Sequence, residues 1–176
     1  MEPGQNRKIA ALTLIIYVHL FFGGNMDTKY MRMAINEAKK ALLLGEVPVG
    51  AVIVRNNEVI AKAYNKKEKL NCCTKHAEIL AIEKASKKVN NWRLDGCDIY
   101  ITLEPCPMCA SAIKQSRISN VYYGLSNSDK NNINIIKSIF DKDKNNNSCS
   151  YNCGYFSDEI DKLMKKFFEG VRNSKM

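Results

Sequence analysis

Two short stretches carry the residues that could do chemistry: His76-Ala77-Glu78 and Pro105-Cys106-Pro107-Met108-Cys109, about thirty residues apart. Together they offer one imidazole, two thiols and a carboxylate. Imidazole and thiolate are ligands suited to zinc. A structural zinc site is closed by four protein ligands, whereas a catalytic one keeps three and leaves a position for water. The pattern therefore describes a catalytic site, with His76, Cys106 and Cys109 as the metal set and Glu78 as a free acid that moves protons. The only other histidine is His19, in a stretch of different character. A lone C-x-x-C also suits a redox pair or half a zinc ribbon, but no second C-x-x-C completes a ribbon. Glu104 is a competing acid, expected to support the site through a hydrogen bond or ion pair.

These side chains must be positioned by regular elements. Pro107 suits the first position of a helix running to about Ser116. That places Cys106 at the N-cap and Cys109 in the first turn, on one face, where the helix dipole favours thiolate. His76 and Glu78 are two apart and would point about 200° away from each other on a helix. The motif must therefore straddle the start of its helix, which Thr74 could cap and which runs to about Lys88. Asp98–Leu103 reads as a nearly continuous apolar, central strand. Ala51–Val54 and Val59–Tyr64 form a hairpin around Asn56-Asn57, and Asn120–Gly124 is a fourth strand. Tyr30–Leu44 has helical periodicity and Gly45 stops it. A last helix runs from Asp158 to about Val171 behind Ser157. Residues 126–153 are rich in Asn, Lys and Ser, with a short helical candidate at Ile133–Phe140. The order implies an α/β fold: a three-layer α/β/α sandwich with a mixed sheet.

The chain has 176 residues and a net charge of +9. That length suits one domain. The basic excess suits a polyanionic partner such as nucleic acid, and equally a solvated basic surface. Seven cysteines, an odd number, fit a reducing cytoplasm better than a disulfide framework. Cys72, Cys73, Cys97, Cys149 and Cys153 are expected to be plain thiols, although the last two could pair or bind a second metal. Residues 1–25 read as a doubtful N-terminal extension, with the domain at 26–176. The apolar run Ile9–Phe22 is shorter than the ~20 residues of a membrane span and lacks a small-residue cleavage site, so no membrane association is expected.

Glu46-Val47-Pro48-Val49-Gly50-Ala51-Val52, Asn65, His76-Ala77-Glu78-Ile79 and Thr102-Leu103-Glu104-Pro105-Cys106-Pro107-Met108-Cys109-Ala110 resemble the bacterial tRNA-specific adenosine deaminases, within the wider cytidine deaminase-like superfamily. The H-x-E and P-C-x-x-C pair is the signature of the zinc nucleobase deaminases. The resemblance spans about Met31 to Val171. It implies a mixed five-stranded sheet between helices, and a homodimer with one Zn2+ per subunit. It also implies deamination of adenosine to inosine at the wobble position of a tRNA anticodon stem-loop. By position it implies His76, Cys106 and Cys109 as zinc ligands and Glu78 as proton shuttle. Asn65 would hold the nucleoside, the Ala77 backbone would lie near the base, and Val47 and Pro48 would line the pocket. Phe167 and Phe168 would lie near the bound loop, ordinary core packing being the alternative.

The sequence departs from the family in places that grip substrate rather than metal. Ser126-Asn127 stands where Arg-Asp is usual, so Asn127 would meet the ribose and backbone without charge, leaving RNA-versus-DNA discrimination open. Cys72-Cys73 replaces a common Asp-Pro, and the segment at Asn146 lacks its usual His neighbour. Two alternatives stand beside the tRNA enzyme: a free-base or nucleotide deaminase acting on guanine or deoxycytidylate, and a non-catalytic RNA-binding relative, against which Glu78 argues.

Overall fold

The structure is a computed structural model that describes residues 28–126, 130–141 and 149–173. The expectations for residues 1–25, Asn127 and the surroundings of Asn146 lie outside the described residues. The elements are α1 (Thr28–Leu43), β1 (Gly50–Arg55), β2 (Glu58–Tyr64), α2 (Ala77–Val89), β3 (Cys97–Leu103), α3 (Pro107–Gln115), β4 (Asn120–Leu125), α4 (Lys130–Phe140), β5 (Ser150–Asn152) and α5 (Ser157–Asn173).

The five strands form one mixed sheet in the order β2-β1-β3-β4-β5. Strand β1 is antiparallel to β2 and to β3, whereas β3, β4 and β5 run parallel. The hairpin turns at Asn56 and Asn57, both with positive φ of 50° and 62°. A two-residue hairpin loop needs that conformation, and Asn tolerates it better than most residues.

Period-two alternation sorts the strands between two helical layers. Ala51, Ile53, Ile99, Ile101, Val121 and Tyr123 share one face with Ala77, Ala81 and Ala85 of α2, Ala110 and Ile113 of α3, and Ile136 and Phe140 of α4. Val52, Val54, Tyr100 and Tyr122 share the other with Tyr30, Met31, Ala34 and Ile35 of α1 and Ile160 of α5. Being covered on both faces, β3 has no polar alternation. Tyr100 stacks on Tyr122 with centroids 4.8 Å apart, and Tyr30 meets Tyr100 at a tilt with centroids 5.2 Å apart. The three-layer sandwich expected from the sequence is therefore present, with its five strands.

Two local expectations change. Helix α4 starts at Lys130, ahead of Ile133, since its polar first turn carries no apolar periodicity. Thr74 does not cap α2: the N-cap is His76, with no side-chain cap bond. A tight turn, His76 N–H to the Thr74 carbonyl at 2.9 Å, separates Thr74 from the helix. Its hydroxyl instead meets Cys72 Sγ at 3.3 Å.

Helix α1 crosses the start of β1 so closely that only glycine fits at Gly50. A Cβ there would fall onto the Ala34 carbonyl oxygen and within 2.6 Å of the Ala38 nitrogen, both backbone atoms of α1. Gly50→Ala is expected to cost about 1–3 kcal/mol through overpacking, read as a lower denaturant midpoint. An unchanged midpoint would show that α1 can move away from the sheet without penalty.

Candidate active site

The site forms where β3 ends and two helices begin. Strand β3 delivers Glu104-Pro105-Cys106, and Pro107 opens α3 at once. Cys106 is the N-cap of α3 in extended conformation, φ −70° and ψ 165°. Across from it, His76 is the N-cap of α2, also extended at φ −72° and ψ 156°. His76 thus lies outside its helix while Glu78 lies in the first turn, so the two can share a cavity despite their spacing. His76 Nδ1 lies 3.7 Å from Cys106 Sγ and 3.5 Å from Cys109 Sγ. The three ligand atoms all fall within 4.8 Å of one another and could hold a metal ion.

Burial and charge act on these groups together. Glu78 is 4% exposed. Burial pushes its carboxyl up to about 7, its own backbone N–H opposes that rise, and the nearby Cys106 charge adds to it. Its Oε2 is buried with no hydrogen-bond partner. A hydrogen bond between the two thiols shifts them in opposite directions. Cys106 is drawn down to about 5, chiefly because the Cys109 thiol donates to it, with the Cys109 backbone N–H and His76 assisting against burial. Cys109 is pushed up correspondingly by that same hydrogen bond and by burial. Two helix N-termini face this cluster, and their free first-turn N–H groups favour negative charge there.

A cavity of about 240 Å³ opens on the cluster, lined by Val47, Asn65, Lys67, His76, Glu78 and Cys106 among others. Val49, Leu103 and Glu104 complete its wall. Pro48 is buried between Val47 and Val49 and is not among the lining residues. Ala77 is fully buried; as the first residue of α2 its N–H has no intrahelical acceptor. Glu104 is buried and accepts a long hydrogen bond from Tyr123 Oη at 3.5 Å. Phe167 and Phe168 do not line this cavity. They meet edge to face at 5.3 Å in the last turns of α5. There Phe167 lines a separate groove with Leu42, Leu43, Gly45 and Val171, and Phe168 is 47% exposed. Gly45 of this groove is two residues from Val47 of the cavity.

Sequence reasoning assigned no role to Lys67, Val49 or Glu46. Glu46 is 1% exposed and accepts hydrogen bonds from the Asn65 side chain and from the Glu68 and Lys69 backbone. An acid between a helix-ending glycine and an apolar Val-Pro-Val run was the available signal.

A family model described as MafB19-like deaminase matches residues 25–172. A Bacillus subtilis (strain 168) protein named tRNA-specific adenosine deaminase is 39% identical over 149 residues, covering 85% of this chain and 92% of that one. A structure solved in a study of A-to-I editing by tRNA:A34 deaminases at the wobble position superposes with a TM-score of 0.70 at 35% identity, covering 78% of this chain and 99% of that one. A guanine deaminase from Bacillus subtilis shares the fold at a TM-score of 0.57 and 29% identity, over 84% and 95% of the two chains. The family model spans the sheet and both helices that start at the cavity, and the chain belongs to the deaminase family that includes the tRNA-specific adenosine deaminases.

Proposed function

We propose that this chain is a zinc-dependent hydrolase that converts adenosine to inosine at the wobble position of a tRNA anticodon. The observation that carries the reading is Glu78, a buried carboxylate with one oxygen unpartnered, lining the cavity beside three converging ligand atoms. The substrate is the one for which the relatives matched over most of the chain are named.

The donor set fits zinc. Tetrahedral bonds of ~2.3 Å to sulfur and ~2.0 Å to nitrogen hold those ligands roughly 3.5 Å apart, and Nδ1 lies 3.5 and 3.7 Å from the two sulfurs. His76, Cys106 and Cys109 would hold the ion. When bound, it would supply the Lewis acidity that makes a water proton removable near neutral pH. Glu78 takes a proton from water, passes it to the purine ring nitrogen beside the amino-bearing carbon, and then assists departure of ammonia. The water oxygen replaces the exocyclic nitrogen, and nothing is oxidised or reduced.

Asn65 holds the nucleoside from the cavity wall, Val47 lines that wall with Pro48 buried behind it, and the Ala77 backbone lies near the base. Phe168 offers an exposed ring to the anticodon loop and Phe167 anchors it, and the ribose contact that the family resemblance implies would fall to Asn127. The basic surface attracts the phosphates. A wobble base is already unpaired, so its extrusion costs little. Residues 26–176 constitute the deaminase domain, which works as a cytoplasmic homodimer with one zinc per subunit. Among the described residues no helix is long and apolar enough to cross a membrane.

Incubation with purified tRNA should produce inosine at the first anticodon position. Glu78→Gln should lower turnover by about 10²–10⁴-fold while retaining zinc. Turnover of only guanine or deoxycytidylate, run alongside, would overturn the tRNA reading. Phosphate contacts should make the KM for tRNA rise by ~10-fold or more between ~50 and ~200 mM salt; a flat response would exclude them. Cys109→Ser should leave the purified protein with well under one zinc per chain, measured by elemental analysis. Full zinc content in that variant would remove Cys109 from the ligand set.

A further inference from the structure

Glu46 is among the most deeply buried side chains of the protein, and it forms no ion pair among the described residues. Three N–H donors surround its carboxylate instead. Oε1 accepts from the Lys69 backbone at 2.7 Å. Oε2 accepts from the Glu68 backbone at 3.2 Å and from Asn65 Nδ2 at 3.2 Å. Its own position is set by the end of α1. Gly45 takes a left-handed φ of 73°, and the Glu46 and Gly45 N–H groups bond back to the Ala41 and Leu42 carbonyls at 3.0 and 3.2 Å. This helix-ending turn needs glycine at its left-handed residue and turns the following side chain inward.

The consequence falls on Asn65. An asparagine amide is nearly symmetric in shape but not in hydrogen bonding, and a flip exchanges donor for acceptor. A carboxylate only accepts, so Glu46 fixes Nδ2 on its own side. The backbone of Asn65 is held as well, by its N–H to the Val49 carbonyl at 3.0 Å. The Oδ1 carbonyl and the second amide proton are therefore offered to the cavity in one fixed arrangement. We propose that Glu46 is a positioning residue for nucleoside recognition, acting through Asn65 by locking the polarity of its amide. The inference rests on the reading of Asn65 as a nucleoside contact.

A double-mutant cycle tests it. Asn65→Asp alone sets a second carboxylate against Glu46 and should lower kcat/KM by at least about 100-fold. Glu46→Gln alone frees the amide to flip and should lower kcat/KM about tenfold, mainly through KM, with zinc content unchanged. The double variant E46Q/N65D restores a donor–acceptor pair, the introduced glutamine donating to the introduced aspartate, and should exceed N65D at least tenfold. If Glu46 only braces the loop backbone at Glu68 and Lys69, the double variant will be worse than either single one, and the proposal fails. A second measurement does not depend on turnover. In ¹⁵N-resolved NMR spectra of the zinc-loaded protein, the Asn65 side-chain amide should show one downfield, exchange-protected proton that moves upfield in E46Q. An averaged, unprotected amide in the unmutated protein overturns the lock even if inosine is formed. A protected amide in a protein that leaves tRNA unchanged upholds the lock and sends only the substrate reading back.

Discussion

Everything at the site depends on two helices that begin at the same place. The first residue of each flank, His76 and Cys106, is an N-cap held in extended conformation rather than a helical residue. This lets His76 and Glu78 face one cavity although they are two apart, and lets Cys106 and Cys109 converge on the same imidazole. It also directs two sets of free helix N–H groups at a cluster of groups that carry negative charge when active. The cost of one buried carboxylate, one buried sulfur and one half-buried sulfur is thereby partly offset by backbone dipoles.

The sheet holds those starts still. Strand β3 is covered on both faces, and its last residue lies three positions before Cys106. The alanines of α2 and α3 let both helices sit against the sheet, and Gly50 lets α1 cross the start of β1 on the opposite face. The end of α1 supplies Glu46, and Glu46 holds the loop from Asn65 to Lys69 that forms another wall of the cavity. Two helix starts thus line the cavity directly, and the turn after α1 braces it through Asn65 and the following loop.

Much of this was legible in the sequence for physical reasons. The metal ligands sit at fixed short spacings beside a helix-starting proline, so Cys106 and Cys109 could be read together. The central strand could be read from its unbroken apolar run. The need for His76 to lie outside its helix followed from helical geometry alone. The cap of α2 was misread because Thr74 is a good capping residue by type, while the turn through Lys75 that separates it from the helix leaves no sequence signal. The first turn of α4 was missed because Lys130, Asn131 and Asn132 carry no apolar period. Glu46 could not be assigned a role, since what it does depends on Asn65, Glu68 and Lys69, nineteen or more residues away in sequence and brought together only by the fold.

The measurement that bears most directly on the account is X-ray absorption at the zinc edge of the purified protein. Convergence of the two helix starts predicts two sulfurs at ~2.3 Å, one imidazole nitrogen at ~2.0 Å and one further light ligand from solvent. A shell of four sulfurs, a shell of oxygens alone, or a protein that binds no zinc would contradict a catalytic centre built from His76, Cys106 and Cys109 with Glu78 beside it.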